Sequence, residues 1–381
     1  MMQTLDLAKY MQDLANVVNI DSNGFDPEGT TRVADYFIDM FQGPEWQIKR
    51  VDVGTKVAHA VQITNTTEDE YDVLLMAHMD TVFDRGEAGK RPFKVENGRA
   101  YGPGVIDMKS GCLLGIHALL NCAEEFKDLR ICLALNPEEE KGSRHVRPWF
   151  EELSRRSKTA IVLEPARPLG EHVMERKGLG RYTIKFHGKA AHAGNNHQDG
   201  RSAINEMAYW ICNLASLTNY EQGFTINIGT VKGGIGTNTV AAEAEMEIDL
   251  RMARIEQHDA FLAKVEVLQA HAAAAEITVE LIGGVTRPPM FKTEKTDAFV
   301  ALVNEEAVKL GLGTKWLSVG GGSDGNFSAA LGVPTIDAMG PIGGKAHTVD
   351  EYLDVDSIEP AYNLFVNVLL RLKEQFYPAK A

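Results

Sequence analysis

The residues best suited to chemistry are two histidines and a set of carboxylates, each at the end of an apolar run or in a glycine-rich loop. His78 and Asp80 lie in AHMDTV (77–82). In an extended segment residues i and i+2 face the same side, so Asp80 can orient the His78 imidazole and leave its other nitrogen for a metal. The same pair also reads as a strand-end histidine bonded to a nearby acid. Asp107 falls in GPGVIDMKSG (102–111), just before an expected helix, where an acid either serves the helix N-terminus or bridges two cations. Glu138, Glu139 and Glu140 are consecutive in EEEKGS (138–143). Their mutual repulsion is tolerable only if they point apart into water or something positive compensates them. Glu164 closes another apolar run, and His347 sits in a distant glycine-rich loop.

Two imidazoles and three carboxylates, without thiolates, suit a pair of zinc ions or related divalent cations, cobalt or manganese included, bridged by one carboxylate. Such a pair would lower the pKa of a water, clamp a scissile carbonyl and stabilise the oxyanion, while an unliganded Glu shuttles the proton. A serine hydrolase is a formal alternative, because Gly321 to Gly325 fits Gly-x-Ser-x-Gly around Ser323, with Asp337 and His347 following in order. It leaves His78 and the upstream acids without a role. Gly102-x-Gly104 lacks the third glycine of a dinucleotide fingerprint.

The elements that must position these groups alternate short β-rich runs with helical stretches, the pattern of a mostly parallel α/β sheet with helices on both faces. Strands are expected at 71–78, 129–136 and 160–164, with a helix over 110–126 for which Ser110 is the N-cap. From about Lys177 the pattern changes. Strands at 180–186, 224–231, 241–251 and 277–281 enclose helices at 202–216 and 255–274, the β, α, β, β, α, β order of a split βαβ (ferredoxin-like) α+β domain. The α/β rhythm then resumes, with helices at 296–310 and 357–376 and a strand at 333–337. The expected division is a discontinuous catalytic domain, 1–176 with 291–381, interrupted by an inserted domain at 177–290.

Composition narrows the partners. With 53 acidic residues against 39 Lys and Arg, the formal charge of -14 opposes the phosphate neutralisation that nucleic-acid binding needs. Apolar runs fall well short of the roughly 20 residues that span a bilayer, so no membrane partner is expected. The N-terminal residues carry an early acid and no basic start, which points to the cytoplasm. Cys112, Cys122, Cys132 and Cys212 form no Cys-x-x-Cys pair and are expected to be core thiols.

The chain resembles the M20 family of metallopeptidases, most closely its glutamate carboxypeptidase branch. The resemblance rests on AHMDTV, GPGVIDMKSG, EEEKGS, LEP, GKAAHAG (188–194), GGGSDG (320–325) and the histidine after GPIGGKA (340–346), in family order across nearly the whole chain. It implies His78 and Glu164 as ligands of one metal, Glu140 and His347 of the other, and Asp107 as the bridge. Glu139 is implied as general base and Asp80 as the acid behind His78. The resemblance further implies a homodimer through the inserted domain, in which His192 helps stabilise the partner subunit's oxyanion. Asn238 and Arg251 are implied to hold the substrate carbonyl and terminal carboxylate, assisted by Gly320, Gly321, Gly322 and Ser323. A guanidinium fork fits a carboxylate bidentately. The implied reaction is hydrolysis of an amide beside a free α-carboxylate, in a small peptide or an N-acyl amino acid. Deacylase or dipeptidase activity, or a catalytically silent dimeric binding protein, are the alternatives. Two departures stand out. Asn196-His197 replaces a common proline, leaving His197 without a role, and Pro137-Glu138 replaces Thr-Asp, so base and ligand are open by one residue among the three acids.

Overall fold

The structure, a computed structural model, describes residues 4–168 and 170–377. Its contacts divide the chain into two compact units. One takes in the chain up to Glu175, Lys292–Ser318 and the chain from Ser323 on; the other takes Arg176–Phe291 with Val319–Gly322.

In the first unit a six-stranded sheet has the order Gln47–Val51, Ala60–Thr64, Ile131–Asn136, Tyr71–His78, Ser157–Val162, Thr335–Ile336. The first two strands add antiparallel, and the other four run parallel. Tyr71–His78 and Ile131–Asn136 are buried at every position, as expected of parallel strands covered on both faces. Leu75, Leu133, Leu114, Phe365 and Leu369 meet in the core beneath them. Each such side chain contributes about 1.5–3 kcal/mol by leaving water, so truncating Leu75 or Phe365 would open a cavity under the strands that carry the site.

Register then delivers the chemistry. His78 pairs with Asn136, and Met76 with Val162, so the carboxyl ends of three parallel strands release His78, the 138–140 acids and Glu164 at one edge. That edge is where open α/β sheets hold ligands. The expected helix over 110–126 is two helices, Ser110–Asn121 and the short Ala123–Phe126, broken at Cys122. Ser110 is not its N-cap. It is the first helical residue, preceded by a wide turn over Val105–Lys109, and its hydroxyl is buried without a partner. A Cβ on Gly111 would lie 2.0 Å from the Leu163 carbonyl oxygen, so only glycine lets this helix start press onto the strand end.

The second unit is a four-stranded antiparallel sheet, ordered Thr225–Gly233, Glu243–Met252, Gly178–His187, Thr278–Arg287. The alternation of Gly178–His187 buries Tyr182, Ile184 and Phe186 with Trp210 of the helix Ala203–Ala215 and Phe261 of Glu256–Ala274. The element order is the expected β, α, β, β, α, β. Cys112, Cys122 and Cys132 are buried free thiols; Cys212 is exposed, which corrects its placement in the core. Among the described residues no helix is long and apolar enough to cross a membrane.

Candidate metal centre

Five of the proposed ligands come together within the first unit. Asp107 lies between two imidazoles, with Oδ1 3.1 Å from His78 Nε2 and Oδ2 3.1 Å from His347 Nε2. Glu164 Oε1 is 3.6 Å from His78 Nε2, and Glu140 Oε1 is 3.1 Å from His347 Nε2. Three of them, His78, Asp107 and Glu140, present ligand atoms within 4.8 Å of one another, close enough to hold a metal ion.

His78 is fully buried at the end of its strand. Its Nδ1 lies 3.0 Å from the Asp80 carbonyl oxygen, which can only accept, so Nδ1 carries the proton. In the neutral ring Nε2 is then a lone pair facing two carboxylate oxygens. A proton or a metal cation must lie between them for the contact to be favourable. In the metal-free chain, burial alone would lower the His78 pKa, but the Asp107 and Asp80 carboxylates reverse it and hold it well above its ordinary value. For His347, the Asp107 and Glu140 carboxylates beside its Nε2 drive the pKa up to about 10. Burial pushes Asp107 up, yet the two imidazoles pull it below the usual carboxylate range. Burial and then the Asp107 charge raise Glu164 well above that range, and burial chiefly raises Glu140. Glu140 Oε1 is buried and makes no hydrogen bond, despite its nearness to His347. Carboxylates crowded out of water, an acceptor left unbonded and two imidazole nitrogens aimed at them fit a pair of divalent cations.

The supports of this cluster were only partly visible in the sequence. Asp80 is where expected, with Oδ1 3.4 Å from His78 Nδ1, but it does more. Its oxygens accept the backbone N–H groups of Glu139 (2.9 Å) and Glu140 (3.1 Å). The three acids separate by task. Glu138 turns back and accepts the N–H groups of His145 and Val146, with His145 Nδ1 2.7 Å from its other oxygen. Glu140 faces His347, and the Glu139 charge is felt at Glu164. Glu351 was missed altogether. Its buried carboxylate accepts the N–H groups of Gly104, Ile106 and Asp107 at 3.0 to 3.1 Å, with burial raising its pKa to about 7. Its only sequence signal was an acid four residues after His347.

The serine alternative is overturned. Ser323 is fully buried, its hydroxyl donates to Asp337 and accepts from the Gly325 N–H, and His347 is engaged at Asp107.

The second unit holds the other candidates. His192 is exposed, and its Nδ1 accepts the N–H groups of Gly194 and Asn195, both at 3.1 Å, which leaves Nε2 as a donor in the neutral ring. Asn238 is its neighbour: Ala193 N–H donates to the Asn238 carbonyl, and His192 bridges Thr239. Arg251 is already forked onto Asp249, at 2.6 and 3.2 Å, and donates to the Gly320 carbonyl; the sequence reading had not singled out Asp249. Gly320 and Gly321 face open space, while Gly322 backs onto Arg287 and Leu179. His197 is exposed and opens a single turn, His197–Asp199, with no group that gives it a task.

A parallel-sheet edge that carries His78, with Asp107 shared between it and His347 from a distant loop, has the donor set of a metallohydrolase of the α/β class. Comparison with known proteins makes this particular: residues 74–371 match peptidase family M20/M25/M40, and the chain belongs to that family. It is 28% identical to carboxypeptidase G2 of Pseudomonas sp. (strain RS-16) over 357 residues, which cover 91% of this chain and 85% of that one. Among solved structures, aminopeptidase PepT from Bacillus cereus ATCC 10987 superposes with a TM-score of 0.80 at 22% identity, covering 97% and 99% of the two chains. A dinuclear metal-binding peptidase of the M20 family from Bacillus subtilis gives 0.67 at 17% identity, with 96% and 97% covered. The chain is a hydrolase of peptide bonds.

Proposed function

We propose that this protein is a two-metal, zinc-dependent hydrolase that cleaves an amide next to a free α-carboxylate, releasing the C-terminal residue of a small peptide or the amino acid of an N-acyl derivative, glutamate among them. The observation that carries this reading is the Asp107 carboxylate shared between His78 and His347 at 3.1 Å each. His78 and Glu164 would hold one cation, Glu140 and His347 the other, with Asp107 between. When bound, the cations would supply Lewis acidity and a water acidified toward neutral pH.

The chain's own groups do the rest. Asp80 fixes the tautomer of His78 and, through two backbone N–H bonds, the turn that carries Glu139 and Glu140. Glu139 takes the proton of the attacking water and returns it to the departing amine. Arg251, oriented by its pairing with Asp249, and the Gly320–Gly322 backbone receive the terminal carboxylate. Asn238 binds the substrate carbonyl. His192 donates Nε2–H to the tetrahedral oxyanion, reaching it from the partner subunit of a homodimer built on the second unit. N-acyl amino-acid deacylation and dipeptide hydrolysis use the same centre and differ only in what is recognised around it.

The test is metal analysis of the purified protein, followed by hydrolysis of a panel of dipeptides and N-acyl amino acids with defined metals, with and without chelator. About two metals per chain and chelator-sensitive hydrolysis are expected. Hydrolysis indifferent to chelator would overturn the reading.

A further inference from the structure

The first unit holds a cavity of about 440 Å³, and none of the proposed metal ligands is among its walls. Those walls are mostly apolar. Ile342 comes from the strand Gly340–Gly344, Leu312 from the turn after the helix Glu294–Lys309, and Ala361 and Leu364 from the helix Ile358–Phe376. Such a size and lining suit a small molecule. The walls are also fixed in advance, which spares a ligand the cost of ordering them. The Met339 and Gly340 N–H groups donate to the Val162 and Glu164 carbonyls at 3.2 and 2.8 Å. Ser357 Oγ accepts the Ile342 N–H at 2.9 Å and donates to the Asp354 carbonyl at 2.6 Å.

The polar groups of the lining are selective. His172 is 6% exposed, and Trp316 packs against its ring at 5.2 Å between centres. Its Nδ1 lies 2.8 Å from the Ala338 carbonyl oxygen, which can only accept, so Nδ1 carries the proton of the neutral ring and Nε2 is a lone pair. No described residue bonds Nε2, yet that atom is not sealed from solvent, so it opens into the cavity that the ring lines. A buried acceptor without a partner carries a cost that a donor removes. The carboxylates set the sign of that donor. Asp354 is paired with Arg99 at 2.8 Å, but Asp356 is exposed with no partner among the described residues, and among those residues no Lys or Arg lines the cavity.

We infer that this cavity binds a small apolar primary amine in its ammonium form. One N–H is donated to His172 Nε2, Asp356 balances the charge, and the hydrocarbon body packs on Ile342, Ala361 and Leu364. An ammonium has three donors and no acceptor, so it suits a lining of acceptors. A carboxylate-bearing molecule meets the opposite, because Asp354 and Asp356 repel it. The amino acids and peptide ends handled by the proposed hydrolase are therefore not its ligands. The inference stands apart from that hydrolase reading, since its test needs no turnover.

The probe is cyclohexylamine, titrated by calorimetry near neutral pH into the full chain loaded with zinc, beside cyclohexanol, which has the same body without the charge. The amine should bind at least about tenfold more tightly than the alcohol, as befits a charged donor on a buried acceptor. His172→Phe keeps a ring but has no lone pair, and Asp356→Asn removes a charge at an exposed position. Amine affinity should fall about tenfold in His172→Phe and about threefold in Asp356→Asn, the smaller loss because that carboxylate is screened by water. Cyclohexanol should bind wild type and Asp356→Asn alike. No amine binding to wild type, equal affinity for amine and alcohol, or amine affinity unchanged in Asp356→Asn or in folded His172→Phe overturns the inference. Amine held by the zinc centre instead would be indifferent to both variants and counts against it in the same way. If His172→Phe does not fold, Asp356→Asn and the amine-over-alcohol ratio decide.

Discussion

Glu351 accepts the backbone N–H of Asp107 at 3.1 Å, across 244 residues of chain. The contact fixes the one carboxylate that both imidazoles share, and the same Glu351 oxygen also takes the Ile106 N–H at 3.0 Å. Glu351 therefore acts through Asp107, as a positioning residue.

Truncating it follows directly. Glu351→Ala leaves three N–H groups without that acceptor, the two buried ones at about 1–3 kcal/mol each, and frees the Asp107 turn. The variant should unfold at lower denaturant and bind zinc at least tenfold more weakly by calorimetry, with Glu351→Gln in between. Zinc affinity equal to wild type in a folded Glu351→Ala protein would show that Asp107 needs no such support.

The neighbouring acids should respond oppositely to change. Glu139→Gln keeps shape and leaves the cluster intact, so metal content should hold while kcat falls about 10³-fold. Glu138→Ala removes the acceptor of the His145 and Val146 N–H groups and should cost about 2–4 kcal/mol of stability without altering metal content. Swapped outcomes, with Glu138 controlling turnover and Glu139 stability, would reverse the assignment.

Why were these tasks unreadable beforehand? The clustered imidazoles and carboxylates were legible as candidates because strand ends and glycine loops are marked by local pattern: Val73–Ala77 is an unbroken apolar run, and the next residue is a histidine. Three consecutive acids carry no such mark. Which way each turns is decided by Asp80 and by the N–H groups of 145 and 146, contacts that periodicity does not encode. Ser110 misled for a related reason. It stands at a helix start, as caps do, but the wide turn before it brings Lys109 into the cap position and seals the hydroxyl in. The inserted sheet was easier, since alternation along Gly178–His187 is a property of single residues. The Arg251–Asp249 fork joins two residues of one strand, yet nothing in the string says that the arginine meets this acid rather than a ligand.

Metal removal should be felt by the fold as well as by activity. Without cations the cluster keeps an excess of carboxylates around two imidazoles, and Glu140 Oε1 has no hydrogen bond. Zinc at 100 times its Kd would add about 2.7 kcal/mol to the folded state. Chelator should lower the Tm of wild type by several degrees and leave an Asp107→Ala, His347→Ala double variant unmoved. A wild-type Tm indifferent to chelator would exclude metal held by this cluster.

A last prediction lies away from the centre, at His172. The ring is 6% exposed, donates Nδ1–H to the Ala338 carbonyl at 2.8 Å and packs 5.2 Å from the Trp316 ring. Burial lowers its pKa below the ordinary 6.5, and the Ala338 carbonyl only partly opposes the shift. The sign follows from the proton count. At pH well above 6.5 folded and unfolded chains both carry a neutral ring; as pH falls below 6.5 the unfolded chain takes up a proton that the folded chain refuses, so stability present at neutral pH is lost until the folded ring also titrates. One histidine can contribute at most about 1.4 kcal/mol per pH unit in this way. Between pH 7.5 and 5.5 the stability measured from urea unfolding should therefore drop more for wild type than for His172→Gln. An equal or larger drop in the variant would place the pH sensitivity elsewhere.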